Sequence, residues 1–134
     1  MIAKKPLFKK VDCYRIYVDD LEKGLAIYRD KLGHPIIWRS EDAIGLRIPD
    51  QDAEIVIQTK NKKAEVNLLV ESVPEAINEI IEVGGSLLFG PIDIPIGKYA
   101  ILKDPWNNEL AILDRSKGLF ITDKDGNIIG QEKK

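Results

Sequence analysis

Residues 11–33 read VDCYRIYVDDLEKGLAIYRDKLG, and residues 63–85 read KAEVNLLVESVPEAINEIIEVGG. Laid on one another at an offset of 52 positions, the two stretches share one pattern. Each opens with alternation that fits a strand: Tyr14, Ile16 and Val18 in the first, Val66, Leu68 and Val70 in the second. A polar residue suited to capping a helix follows, Asp20 in one copy and Ser72 in the other, with Glu75 three residues after Ser72. Apolar residues then recur at helical spacing: Leu21, Leu25, Tyr28 and Leu32, against Val73, Ala76, Ile77, Ile80 and Ile81. Each periodic run stops on glycine, Gly33 or Gly84-Gly85, a residue that accepts the left-handed conformation ending a helix. Identity between the copies is low, so the repeat rests on shared pattern and a common offset.

Working outward, three strand-like runs follow each helix. They are Pro35–Trp38, Ala43–Ile48 and Glu54–Gln58 in the first copy, and Ser86–Phe89, Tyr99–Lys103 and Glu109–Leu113 in the second. Ser40-Glu41-Asp42 and Pro49-Asp50-Gln51-Asp52 read as turns, Pro91, Pro95 and Gly97 as a longer loop, and Asp104-Pro105-Trp106-Asn107-Asn108 as the last turn. The expected fold is α+β: two βαβββ modules, about residues 9–60 and 63–115, in a single domain spanning 1–134. After them, Leu119–Thr122 and Asn127–Ile129 flank Asp123-Lys124-Asp125-Gly126. That predicts a C-terminal β-hairpin at about 118–130, serving as a plain surface hairpin or covering an edge or subunit contact.

Composition narrows the function. The 134 residues suit one domain able to bury a core unaided, with 44% apolar and 31% charged residues. Net charge is −2 with both signs interspersed, which argues against a nucleic-acid partner. The basic ends, Lys4, Lys5, Lys9, Lys10, Lys133 and Lys134, read as solvated tails. No apolar run reaches membrane-span length and the start lacks a signal-peptide core, so the expected location is cytoplasmic and no membrane partner is expected. Cys13 is the only cysteine, which excludes an internal disulfide.

The modular order, the segment VDDLEKGLAIYRDKLG and the late segment KDPWNNELAIL together resemble the vicinal-oxygen-chelate superfamily of glyoxalases, bleomycin-resistance proteins and dioxygenases. The usual Asp-Pro-Asp-Gly-Asn turn of that family is degraded here to Asp104-Pro105-Trp106-Asn107-Asn108. The resemblance covers roughly residues 9–115. It implies that the sheets curl around one cup holding a ligand or active site, with modules paired within one chain or across a dimer; a homodimer is the expected assembly.

The resemblance also implies where a metal would be held, on the first and last strand of each module. Seven residues before the cap positions stand Cys13 and Glu65; seven after Asp104 stands Ala111; the fourth position falls at Val56, with Glu54 its same-face neighbour. Cys, Val, Glu and Ala make a poor set for a hard cation. The only histidine, His34, lies at the helix exit. No metal and no other cofactor is therefore expected, although a departed set of Cys13, Glu54, Gln58 and Glu65 is conceivable. Without a metal, ligand sequestration in the cup is the first reading. An altered lyase, isomerase or dioxygenase is the second, and a non-catalytic interaction module the third.

Strand alternation names the cup candidates. Cys13 brings Arg15 and Tyr17; Glu65 brings Asn67 and Leu69; Ala111 brings Glu109 and Leu113; Tyr99 and Ile101 lie on the neighbouring strand, and Trp38, Arg47 and Trp106 line walls or rim. The expected small-molecule site thus comprises Cys13, Arg15, Trp38, Arg47, Glu65, Asn67, Tyr99, Trp106 and Glu109. Arg15 reads either as an anchor for an anionic or carbonyl ligand or as one half of a structural ion pair with Glu65 or Glu109. Glu65 has the same two readings, with a general-base role open to it if burial raises its pKa. Cys13 reads as a small buried hydrophobe or a nucleophile, and the two tryptophans as packing or ligand platforms.

Overall fold

A computed structural model describes residues 5–133. Both modules are present. In the first, β1 (Lys10–Tyr17) leads to α1 (Leu21–Leu25) and then to β2 (Ile36–Arg39), β3 (Ala43–Arg47) and β4 (Glu54–Gln58). The strands run in the order β2-β3-β4-β1, antiparallel except for the parallel β4–β1 pair. The second repeats the plan with β5 (Glu65–Leu69), α2 (Val73–Glu82), β6 (Ser86–Ile94), β7 (Gly97–Lys103) and β8 (Glu109–Leu113) in the order β6-β7-β8-β5. Both caps form: Asp20 Oδ1 accepts the Lys23 N–H at 2.9 Å, and Ser72 Oγ accepts the Glu75 N–H at 3.3 Å.

Each helix covers one face of its own sheet. Val73, Ala76, Ile77 and Ile80 of α2 pack with Val70, Ala100, Leu102 and Ile112, and Leu7 joins them. Leu25 packs with Ile44, Leu46 and Ile57, flanked by Ile16, Val18, Leu21, Tyr28, Ile36 and Ile55. The opposite face of each sheet is free of helix, and the candidates carried on strands lie there.

Four expectations change. The first helix is α-helical for little more than a turn, then becomes π-helical from Ala26 to Lys31. Leu32 N–H reaches Ile27 O rather than the carbonyl four back. The wider turn slips the phase, so Leu32 leaves the expected apolar stripe and is 58% exposed. Ile81 likewise stands off the α2 core, 48% exposed. The stretch read as a loop around Pro91 is strand: β6 continues to Ile94, kinked by register shifts between Leu87 and Ile92. Pro91 is tolerated because no strand bonds the outer edge of β6 among the described residues. Finally, the basic N-terminal stretch is partly tied down. Lys9 pairs with Glu71 at 2.8 Å while its N–H bonds Leu69 O, and Lys10 begins β1. Lys4 and Lys134 lie outside the described residues.

The C-terminal hairpin forms from β9 (Phe120–Thr122) and β10 (Ile128–Gln131). Its turn copies the β7–β8 turn. Asp104 Oδ1 accepts the N–H groups of Trp106 and Asn108, and Asp123 Oδ1 accepts those of Asp125 and Asn127. The hairpin covers an edge, the one that β2 would leave open. Arg39 N–H bonds Gly126 O at 2.8 Å, and Arg39 bridges Asn127 in parallel. No helix among the described residues is long and apolar enough to cross a membrane.

Candidate functional site

Register defines the helix-free face of each module. In the first, Arg15 lies opposite Val56, Val56 opposite Gly45, and Gly45 opposite Trp38. In the second, Asn67 lies opposite Ala111, Ala111 opposite Ile101, and Ile101 opposite Phe89. These are equivalent rows, since Asn67 is Arg15 displaced by the repeat offset of 52. Val56 and Ala111 hold equivalent places in the two rows, opposite Arg15 and Asn67.

Each row ends on an aromatic residue put there by a bulge. On β2 the register shifts between Ile36 and Trp38; on β6 it shifts between Leu87 and Phe89. Ile36 pairs with Leu46 and Leu87 with Leu102, both partners buried beneath the helices. Two residues on, an unbroken strand would point the aromatic to that same side. The extra residue re-aims it to the other. Phe89 meets Tyr99 edge-on, with ring centroids 6.2 Å apart. Sequence alternation assigned Tyr99 to this face but missed Phe89, because period two does not survive a bulge.

Trp38 is held closely. It packs with Cys13, Ala43 and Val56, and its Nε1–H donates to Glu54 Oε1 at 2.7 Å. It crowds Gly45, where an added Cβ would collide with the indole nitrogen. Glu54 stands between Cys13 and Arg47 in register, and Glu109 faces Lys103, so each module sets a last-strand carboxylate opposite a third-strand cation.

Arg15 differs from these. It is half-buried and makes no hydrogen bond or ion pair among the described residues. Its side chain has no carboxylate partner among the described residues. Glu65 opens β5 half-buried, Asn67 is buried, and Arg47 and Glu109 are exposed. Trp106 does not join the strand face; it stands 80% exposed on the β7–β8 turn. His34 Nδ1 is bonded to Arg47 O at 2.9 Å, which fixes the helix exit to β3.

The family metal positions do not suit a metal. Val56 and Ala111 have no donor atom. Cys13 is 3% exposed, and burial above all pushes its thiol up, with Asp12 and Glu54 adding to the rise against the pull of Arg15. A protonated thiol is neither a good ligand nor a nucleophile. The departed set fares no better. Gln58 is committed to its own loop, accepting from Lys60 and Asn61 N–H and donating to Asn61 O, and Glu54 holds Trp38. No three His, Cys, Asp or Glu side chains converge among the described residues.

A further residue, Asp114, organises the second module. It follows β8 directly and is 1% exposed. Its Oδ2 accepts the Val73 N–H at the start of α2, and its Oδ1 accepts from Lys98 N, Ser116 N and Ser116 Oγ.

Comparison with known proteins agrees with this geometry. The family model described as Glyoxalase/Bleomycin resistance protein/Dioxygenase superfamily matches residues 10–112. No curated protein matches the sequence. Among solved structures, methylmalonyl-CoA epimerase from Mycobacterium tuberculosis superposes with TM-score 0.69 at 13% identity, over 84% of this chain and 92% of that one. The Streptomyces coelicolor methylmalonyl-CoA epimerase gives 0.66 at 14%, over 81% and 99%. A variant of homoprotocatechuate 2,3-dioxygenase from B. fuscum gives 0.53 at 18%, over 86% of this chain but 34% of that one. At these identities the likeness is one of fold.

Proposed function

The chain belongs to the glyoxalase/bleomycin resistance protein/dioxygenase superfamily, and from that premise we propose that it binds a small molecule on its helix-free sheet faces without using a metal. The observation that carries this reading is Arg15. Its half-buried side chain has no hydrogen-bond or ion-pair partner among the described residues, so its donors are open to a ligand. A carboxylate, phosphate or polarised carbonyl would take those donors up, and a guanidinium fork suits such groups. Val56 and Trp38 give its own module an apolar and aromatic wall, and the helix-free face of the second module carries a like set in Ala111, Phe89 and Tyr99. Asn67 and Glu65 supply further polar groups on β5. A few polar anchors set in apolar walls are what a small-molecule site needs.

A homodimer is part of this proposal. The hairpin turn covers the β2 edge, while the β6 edge is unpaired among the described residues and exposes Leu88 and Ile92 at 49% and 41%. An uncovered edge with apolar side chains is suited to association with a second copy.

A thermal-shift screen of the whole protein against anionic, aromatic and glycopeptide compounds tests the binding reading, since a ligand selective for the native state raises Tm. At least one anionic class should stabilise the wild type, and Arg15→Ala should weaken that ligand by about tenfold or more. Added Ni, Zn, Mn or Fe should neither stabilise the protein nor copurify stoichiometrically. A stoichiometric, stabilising metal would overturn the metal-free reading, and equal binding by Arg15→Ala would remove the anchor.

A further inference from the structure

We propose a second site: a cleft between the π-helical segment, β2 and the hairpin turn that binds a phosphate-bearing small anion and so clamps the C-terminal hairpin to β2. The cleft has a volume of about 430 Å³ and is lined by Arg29, Pro35, Ile36, Arg39, Lys124 and Asp125. It lies apart from the residues invoked above; none of Arg15, Trp38 or Glu54 lines it.

The charge balance argues for an anion. Three cations and one carboxylate share the wall, so the lining itself carries an excess of positive charge. Two of the cations have carboxylate partners, but neither partner is in the wall. Arg29 bonds Asp30 through Nε at 2.8 Å and through a terminal nitrogen at 3.5 Å, and Arg39 reaches Glu22 through one terminal nitrogen at 3.3 Å. These pairs are solvent-exposed and therefore weak, so an entering anion can compete with them. Lys124 has no hydrogen bond or ion pair among the described residues. Most of the donors on two guanidinium forks and one ammonium are thus unspent.

The class of anion follows from those donors. Guanidinium forks match the tetrahedral oxygens of phosphate, and an ammonium adds a mobile point charge. Pro35 and Ile36 give the cleft an apolar side on which the body of a phosphorylated molecule can rest. Asp125 works against the anion and limits how tightly it is held.

The site depends on a part of the chain that the family match leaves out. The match ends at residue 112, whereas Lys124 and Asp125 belong to the added hairpin. A two-stranded hairpin is marginal alone, and this one is attached to β2 through Arg39, Gly126 and Asn127. An anion bridging Arg39 and Lys124 links β2 to the hairpin a second time.

The experiment is a backbone-amide NMR titration of the whole protein with inorganic pyrophosphate, with citrate at matched ionic strength for comparison. Saturable shifts are expected at Ile36, Arg39 and Lys124 through Gly126, with slower hydrogen exchange of the Arg39 amide in the bound state. Arg39→Gln and Lys124→Gln, both replacing solvent-reaching side chains, should each weaken binding about tenfold, and Asp125→Asn should tighten it severalfold. Shifts that do not saturate, or that persist in the Arg39→Gln/Lys124→Gln double variant, would mean only diffuse ion attraction and overturn the site. Equal affinity for citrate would overturn the phosphate assignment.

Discussion

Asp114→Ala is expected to destabilise the protein by about 3–5 kcal/mol, the largest effect of any single polar substitution outside the strand faces. The carboxylate is 1% exposed and receives four bonds: Val73 N–H, Lys98 N–H, Ser116 N–H and the Ser116 hydroxyl. Alanine leaves three backbone donors without their acceptor in a place water does not readily reach. One is at the first turn of α2, where an N–H has no partner within the helix. Another is at the start of β7. The substitution therefore loosens the helix and the strand together, and urea unfolding followed by far-UV circular dichroism should show a lower midpoint with an unchanged slope.

Asp114→Asn separates charge from shape. Burial alone would push the Asp114 carboxyl up, but its bonds from Val73, Ser116 and Lys98 outweigh that and hold it below the ordinary carboxylate range. A pKa lowered in the folded state adds stability that is present above the unfolded value of about 4 and is lost as pH falls through the folded value. The asparagine variant should be less stable than wild type at neutral pH yet fall less steeply between about pH 4 and pH 2. Asp93, Asp104 and Asp123 are also held low by their own bonds, so some acid dependence should remain. If wild type and variant lose stability in parallel, the ionised form of Asp114 is not what stabilises α2.

The contrast between Asp114 and Asp20 shows what a sequence can and cannot disclose. Asp20 caps a residue three positions on, a local arrangement with a local signature. Asp114 reaches Val73 across 41 positions, and no spacing rule announces that contact. The same division runs through the fold. Both modules, both caps and the helix-free position of Arg15 and Tyr99 follow from periods of two and 3.6 and from the repeat offset. The failures occur where a period slips. The π-helical turns rotate Leu32 into solvent, and the bulge on β6 carries Phe89 to the other face. A period read along the chain assumes no inserted residue, so it cannot report the insertion that breaks it. A bulge stands in the equivalent place on β2, where it turns Trp38 to the helix-free face.

Gly45→Val tests that delivery. The indole of Trp38 occupies the space above Gly45, so any side chain there collides with it. Valine itself suits a strand, and the backbone of β3 has no need of glycine on propensity grounds. The expected loss of about 2–4 kcal/mol therefore comes from the indole being driven off Cys13, Ala43 and Val56 and from breaking the Nε1–H bond to Glu54. Fluorescence gives a direct readout if Trp106, already 80% exposed, is first replaced by phenylalanine, leaving Trp38 as the sole indole. Emission should then move to longer wavelength in Gly45→Val, and Cys13 should begin to react with thiol reagents as its cover is lifted. Glu54→Gln should leave packing in place while weakening a charge-assisted bond, with a smaller loss of about 1 kcal/mol. The order of effects matters more than either value. If Gly45→Val costs no more than Glu54→Gln and the emission stays fixed, Trp38 is not wedged over Gly45, and the bulge on β2 does not serve to place it. If the order holds, the first module presents a fixed aromatic wall beside Arg15, and ligand screens should be carried out on protein in which that wall is intact.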